Sequence, residues 1–423
     1  MSDLITPQET NAGVAPATSL YDLTFEQLNK QIISWGEPTF RAKQIWKWLY
    51  QRFAHDIDEM SDLSKALRVK LKEQYVLSRI TPKIAKQSTD GWTRKWLLRL
   101  PDGSEIETVL MEYDGVRRTA CISSQAGCAM NCSFCATGQM GFLRNLRAGE
   151  IVEQVVWVAR ELKKTEGSES SESSESSEGS ESSEGSESSE GSKVRRFEGS
   201  KRSEPAKPAK PAKSAADRLS NLVLMGMGEP FANYNNVMEA VRRLMNPDDD
   251  GGFGLGARRI TISTVGLTPG IRKFADEDTQ VNLAVSLHAA TDELRSQLVP
   301  INQRYPLKDV IRATHDYIVK TNRRVSYEWA LIDDVNDTPE QAHALVDVVR
   351  ETFDPRQRNM VHVNMIPLNP TRGYRGHPSE RVQAHHFREI LTQAGIPNTI
   401  RIRRGIDINA GCGQLRADAL PAT

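Results

Sequence analysis

All five cysteines of this 423-residue chain fall into one chemical arrangement. Cys128, Cys132 and Cys135 form a C-x3-C-x2-C triplet, Cys121 precedes them by seven residues, and Cys412 stands in Gly411-Cys412-Gly413. Three thiolates so close in sequence can ligate three irons of a cubane cluster and leave the fourth iron open to a small chelating molecule. Zinc is the alternative, but a structural zinc site wants four ligands, usually as two close pairs, and no second pair exists. A disulfide scaffold fits worst, because five cysteines over this length are sparse and odd in number.

Other polar residues gather at strand-like segments. Read by period and by turn residues, strands are expected at 117–123, 221–226, 259–264, 281–287, 325–332 and 360–366, alternating with helical patterns such as Ile151, Val155, Val158 and Leu162. Such alternation argues for parallel βαβ units, here six, which make a partial barrel. The cysteine triplet follows the first strand, and Gly226-Met227-Gly228-Glu229-Pro230 follows the second. Ser263 and Thr264 end the third, Ser286-Leu287-His288 ends the fourth, and Asn369 follows the sixth. Every candidate group is thus expected at the carboxyl ends of the strands, the face where barrel enzymes build their sites.

Ahead of the barrel, residues 20–76 read as helical. Thr24 with Gln27 resembles a capping box, and Phe40, Ile45, Trp48 and Leu49 recur at helical spacing beside a basic side of Arg41, Lys43, Lys47 and Arg52. Residues 93–100 and 104–111 read as a hairpin turned by Pro101-Asp102-Gly103. The expected division is a disordered tail over 1–18, a helical accessory domain over 19–92, the hairpin over 93–115, the barrel over 116–415 and a short tail over 416–423.

Within the barrel, residues 165–214 cannot bury apolar area. Glutamates recur at every third position from Glu166 to Glu190 among Ser and Gly, and 193–213 carry eight Lys or Arg against two Glu. These blocks contribute −9 and +6 to a formal charge of zero, so the remainder is only mildly basic and charge alone does not point to nucleic acid. We expect a disordered insertion, entering the second strand from the face opposite the candidate site. The hydrophobic fraction of 38% suffices for a large core, and no apolar run approaches the ~20 residues of a membrane span. Residues 1–18 lack a signal-peptide pattern, so a soluble cytoplasmic chain with reduced thiols is expected.

Cys128-x3-Cys132-x2-Cys135, with Phe134 before the last cysteine, resembles the cluster motif of radical S-adenosylmethionine enzymes. Met225-Gly226-Met227-Gly228-Glu229-Pro230, Ser286-Leu287-His288-Ala289 and Gly411-Cys412-Gly413-Gln414-Leu415 narrow the resemblance to the RNA adenine methyltransferases of the RlmN and Cfr group. It runs from the helical region to the last cysteine, with only the insertion lacking a counterpart. It implies an α/β fold, a partial (β/α)6 TIM-like barrel of the radical SAM type with an N-terminal helical accessory domain.

The resemblance also implies one 4Fe-4S cluster per chain on Cys128, Cys132 and Cys135, and two S-adenosyl-L-methionine molecules per turnover. Gly228, Glu229, Ser263, Ser286, Leu287, His288 and Asn369 would contact that cofactor. Cys412 matches the cysteine that carries the methyl group as S-methylcysteine. Cys121 matches the thiol that resolves a covalent RNA adduct through a transient disulfide bond with Cys412, and Glu107 matches the proton acceptor. The implied substrates are C2 of adenine in 23S rRNA and in tRNA beside the anticodon, with Arg144, Arg147, Arg403 and Arg404 as candidate phosphate contacts. An external one-electron reductant such as flavodoxin, no membrane and a monomer complete the expectation. Carbon 8 of an rRNA adenine is the alternative within the family. A non-catalytic iron–sulfur RNA-binding protein is the alternative outside it, and it would need neither Cys412 nor Cys121.

Overall fold

The computed structural model describes residues 18–113, 117–172 and 219–416. Its centre is a ten-stranded sheet. Three antiparallel strands come first: β1 (Thr81–Gln87), β2 (Thr93–Arg99) and β3 (Glu105–Tyr113). Then β4 (Arg117–Cys121), β5 (Asn221–Leu224), β6 (Ile260–Thr264), β7 (Asn282–Ser286), β8 (Val325–Leu331), β9 (Val361–Pro367) and β10 (Asn398–Ile400) run parallel, each paired to the next in chain order. Such singly wound order with helical crossovers is a partial barrel, and β10 extends the six expected units by one short strand. β3 pairs antiparallel with β4, so the hairpin continues the barrel sheet.

Strands β5 to β9 are Val-, Ile- and Leu-rich and largely buried, as a sheet covered on both faces requires. The crossover helices α4 (Ala148–Glu172), α5 (Tyr234–Met245), α6 (Thr268–Ala275), α7 (Leu307–Thr321), α8 (Pro339–Thr352) and α9 (Arg381–Gln393) bury one stripe each against it. α4 reaches Glu172, eight residues into the segment expected to be disordered. The rest of that insertion, and the tails 1–17 and 417–423, lie outside the described residues.

The N-terminal helices α1 (Phe25–Ser34), α2 (Phe40–Lys47) and α3 (Lys65–Gln74) pack on α4 and its neighbours. Thr24 Oγ1 accepts from Gln27 N at 3.1 Å and Thr24 N donates to Gln27 Oε1 at 2.8 Å, which is the expected capping box. The buried stripe of α2 differs from the expected one: Ile45 and Leu49 are inside with Trp46 and Tyr50, whereas Phe40 is 54% exposed. Three of the four cations on its basic side have acidic partners, with Lys43 on Asp250, Arg52 on Asp62 and Arg41 on Glu37. The helical part ends by Val76; β1 lies within the region expected to be helical and joins the sheet instead.

Glu153 of α4 locks this N-terminal part in place. Its carboxylate accepts from Ser19 Oγ, Ser78 Oγ, Arg79 N and Ile80 N at 2.8–3.2 Å. The next residue, Gln154, binds both the N–H and the C=O of Ser123, just beyond β4. A buried carboxylate and a buried amide whose hydrogen bonds are met in this way fix both ends of the helix–sheet contact. The cluster-like loop and Cys121 therefore leave β4 from a braced position.

Candidate active site

The loop after β4 begins with a three-residue strand, Gln125–Gly127, paired antiparallel to Phe142–Asn145, so Cys128 to Gly141 form a closed excursion. Cys128 N donates to Gly141 O at 2.8 Å and Cys135 N to Cys132 O at 3.1 Å, with Asn131 in a left-handed conformation at φ 53°. Cys132 and Cys135 face a cavity of about 140 Å³ at the carboxyl ends of the parallel strands, and Cys128 lies outside its wall. Burial pushes the Cys128 thiol up to about 12 and drives Cys132 well above its ordinary value, and the neighbouring thiols add to both. Thiols in such a place stay neutral unless a cationic group draws off their protons.

Among the described residues, no three Cys, His, Asp or Glu side chains converge as one metal ion would need. A single zinc ion requires that convergence. Three closely spaced thiols on one loop are the donor set a cubane cluster takes.

The far wall of the cavity is built from neighbouring strand ends. Glu229, Ser263, Ser286, His288 and Asn369 all reach it, as does Gly228. Ser263 Oγ and Ser286 Oγ stand 3.5 Å apart across the β6–β7 pairing. His288 is held at φ 63°; its Nδ1 accepts from Ala330 N at 3.0 Å, and its ring meets Phe134 edge-on at 4.8 Å. That bond places the proton on Nε2, and burial lowers the imidazole pKa to about 3, so His288 is a neutral donor.

Glu229 is buried, and its two oxygens accept from Phe231 N and Val265 N at 2.9 Å each. Desolvation still raises it to about 7. A carboxylate in this state gains from a cationic ligand beside it. Gly228, at φ 101°, is explained by the protein itself: a Cβ there would meet Gln125 Cβ at 2.5 Å. Asn369 donates Nδ2 to Cys412 O at 3.0 Å, while its buried Oδ1 has no partner. An acceptor left open beside the cavity, a carboxylate wanting a cation and paired hydroxyls fit a polar zwitterionic cofactor such as S-adenosylmethionine. Leu287 does not join them, because its side chain is in the core and its carbonyl accepts from Arg295 Nε at 3.1 Å.

The C-terminal segment closes the cavity. Ala136 N donates to Gly413 O at 2.8 Å, Thr137 Oγ1 to Leu415 O at 2.5 Å, and Gln414 Nε2 to Pro370 O at 2.9 Å. A Cβ on Gly411 would meet Asn369 Nδ2 at 2.6 Å, so only glycine permits this approach. Cys412 is thereby carried into the cavity wall with its side chain accessible. Crowding by protein, then the Glu328 carboxylate, raise its thiol to about 11 against the pull of Arg401.

Cys121 lies behind this wall, on the sheet. It is buried beside Met225 and close enough to Cys412 to feel that thiol; burial first, then Cys412, push it up to about 12. Val109 faces Cys121 across the β3–β4 pairing, and Glu107, two residues earlier on β3, shares that face. Lys95 lies opposite Val109 on β2 and ion-pairs Glu107 at 2.8 Å. Glu107 also accepts from Arg416 N at 2.9 Å, and Lys95 donates to Asn409 O at 2.9 Å. Burial raises the Glu107 carboxylate while Lys95 opposes the rise. Two buried charges on the sheet thus grip the segment on either side of Cys412.

Several site residues carry no sequence signal. Glu328 on β8 lines the cavity, accepting from Ser326 Oγ at 2.9 Å and Asn364 Nδ2 at 2.6 Å. Lys95 and Arg401 likewise look like ordinary residues until the strands are side by side. Of the four arginines considered for RNA phosphates, Arg144 is bound to Glu150 and Asp102, and Arg147 to Asp22 and Glu150. Arg404 lies over the Tyr113 ring at 4.7 Å, next to Arg117 at 4.0 Å, and Arg403 Nη1 donates to Leu368 O.

Residues 18–77 match the ribosomal RNA large subunit methyltransferase N-terminal domain. The chain is 44% identical over 396 residues to a probable dual-specificity RNA methyltransferase RlmN of Chloroflexus aurantiacus, covering 94% of this chain and 92% of that one. It is 41% identical to the dual-specificity RNA methyltransferase RlmN 1 of Myxococcus xanthus, covering 97% and 96%. The crystal structure of a radical SAM methyltransferase from Sphaerobacter thermophilus superposes with a TM-score of 0.77 at 42% identity, over 95% of this chain and all of that one.

Proposed function

Because the chain belongs to the RlmN family of radical SAM RNA methyltransferases, we propose that it methylates C2 of adenine in 23S rRNA and in tRNA through a methyl group carried on its own cysteine. The observation that carries this reading is that Cys412 lies in the cavity wall with the cluster-type loop, while Cys121, far from it in sequence, lies near enough for the Cys412 thiol to act on it. An iron–sulfur RNA-binding protein has no use for that pair.

Cys128, Cys132 and Cys135 would hold a 4Fe-4S cluster, and Glu229, Ser263, Ser286, His288 and Asn369 would hold S-adenosylmethionine against it. Bound there, the cluster and its ligand supply a methyl group and a one-electron route to a carbon radical, which adenine C2 needs because that amidine carbon is electrophilic. Cys412 loses its proton and takes the methyl carbon on sulfur. With one of its hydrogens removed by that one-electron route, the carbon held by Cys412 would bond to adenine C2 and leave enzyme and RNA joined. Glu107, on the same sheet face, would accept the proton leaving C2, with Lys95 stabilising its ionised form. The Cys121 thiolate then attacks the Cys412 sulfur. The S–C bond breaks with its carbon taking up a proton, a Cys121–Cys412 disulfide forms, one electron goes back to the one-electron route, and the methylated base departs.

The exposed Arg117 and the half-buried Arg404, both over the Tyr113 ring, favour a polyanionic substrate. The test is anaerobic reconstitution with iron and sulfide, incubation with 23S rRNA fragments and tRNA, and mass spectrometry of the nucleosides. We expect 2-methyladenosine from both RNAs; 8-methyladenosine, or no methylation by a fully clustered protein, overturns the reading.

A further inference from the structure

Arg295 is a guanidinium with no exposed surface. It sits in the short helix Asp292–Leu298 that follows β7, and its four hydrogen bonds all go to neutral acceptors. Nε reaches Leu287 O at 3.1 Å, Nη1 reaches Asn302 Oδ1 at 2.7 Å, and Nη2 reaches Val265 O at 2.6 Å and Ser286 O at 3.3 Å. Among the described residues no carboxylate lies within ion-pair distance. The nearest acid, Asp292, is exposed, and its Oδ1 is taken by Asn302 Nδ2 and Leu307 N. A buried charge is expected to have a counter-charge, and this one has none of its own.

The same helix touches the cysteine loop. Leu298 O accepts from Ser133 N at 3.0 Å, and Leu298 packs with Cys132 and Phe134 in one small apolar cluster. We propose that Arg295 is a positioning residue with two roles: its fork fixes the ends of β6 and β7 that carry the cofactor-facing groups, and its charge balances the anionic cluster on Cys132. The second role rests on the iron–sulfur reading above. Arg295 lies near enough to Cys132 for the guanidinium charge to act on that sulfur. Burial brings Arg295 itself down to about 10, so it remains cationic at neutral pH. A fixed cation in a dry site stabilises the reduced, more negative cluster and so raises its potential.

The experiment is an EPR-monitored redox titration of the anaerobically reconstituted full chain, comparing wild type, Arg295→Gln and Arg295→Lys. Gln keeps part of the hydrogen bonding without charge, whereas Lys keeps charge without the fork. We expect the midpoint potential to move negative in Arg295→Gln and to stay at the wild-type value in Arg295→Lys, which instead loses cofactor affinity through loosened strand ends. Asn302→Asp supplies a second probe if Arg295→Gln does not fold: a carboxylate placed against Nη1 cancels the charge, and the potential should again move negative. An unmoved potential in the charge-cancelling variants overturns this assignment alone. A wild-type chain that binds no EPR-active cluster overturns the iron–sulfur reading and this assignment with it.

Discussion

The triad Cys128–Cys132–Cys135 and the pair Cys121–Cys412 each present sulfur to one cavity, through Cys132 and Cys135 and through Cys412, yet they are assembled by opposite means. The triad lies on a single loop whose ends are stitched by the Gln125–Gly127 and Phe142–Asn145 pairing, so its geometry is mostly local. The pair exists only because β4 and the C-terminal segment are brought together. That segment is tied by Ala136, Thr137 and Asn369 on one side and by Lys95 and Glu107 on the other. A local site tolerates strain elsewhere; a site made of distant parts depends on every tie that aligns them.

The sharpest break of this contrast is in the triad. Cys128→Ala, Cys132→Ala or Cys135→Ala should abolish both the brown colour and RNA methylation, with the fold retained by circular dichroism. A colourless, zinc-loaded and active protein would reverse the assignment. Next in size, Cys121→Ala should still accept methyl on Cys412 but stall with RNA attached to that residue, visible as a protein–RNA band on a denaturing gel. Cys412→Ala should form no such band, and free methylated RNA from Cys121→Ala at the wild-type rate would remove Cys121 from the mechanism.

The ties should matter less than the thiols. Glu107→Gln should slow adenine methylation about 100-fold, in the range for loss of a positioned base, while leaving methyl transfer to Cys412 intact. Lys95→Met removes the cation that opposes burial of Glu107, so the Glu107 pKa should rise further and the acidic limb of the pH–rate profile should move to higher pH. A profile unmoved by Lys95→Met would separate Glu107 from proton transfer.

Glu229 gives a smaller, purely thermodynamic effect. Its pKa in the fold, about 7, lies above the ordinary 4.5, so its contribution to stability is complete below 4.5 and is lost as pH rises to about 7. The effect is on the order of 3 kcal/mol at most. Melting temperatures of the cluster-free protein should fall across that window, and Glu229→Gln should flatten the slope. The smallest effect concerns the insertion: replacing residues 173–214 by a short Gly/Ser bridge should change the methylation rate by less than about twofold, since α4 leads away from the cavity face. A large loss with folding intact would give that segment a role in RNA or partner binding.

The sequence was most legible where chemistry is compressed into neighbours. The C-x3-C-x2-C spacing, the Gly228-Glu229 turn, Ser286, His288 and Asn369 needed only strand periodicity to place them on one face, and the cavity wall contains all of them but Cys128. The misses have physical causes. β1 is polar on both sides and exposed along nearly its whole length, so it carries no alternation and exists by pairing with β2. The α2 stripe was misjudged because Trp46 and Trp48 are equally aromatic, and only packing against Phe25 and Tyr50 selects Trp46 for the core. Leu287 shares a motif with Ser286 and His288, but strand alternation turns it to the opposite face.

What the sequence determined by itself is therefore the kind of chemistry: three adjacent thiols, a parallel-strand scaffold, and polar groups at the strand ends, all set by spacing along the chain. Only the tertiary structure decided which charges meet. Lys95 with Glu107, Glu328 near Cys412, and Arg295 without an acid beneath the cluster loop are pairings across strands and loops far apart in sequence. Their energies depend on burial and distance, which no local pattern encodes.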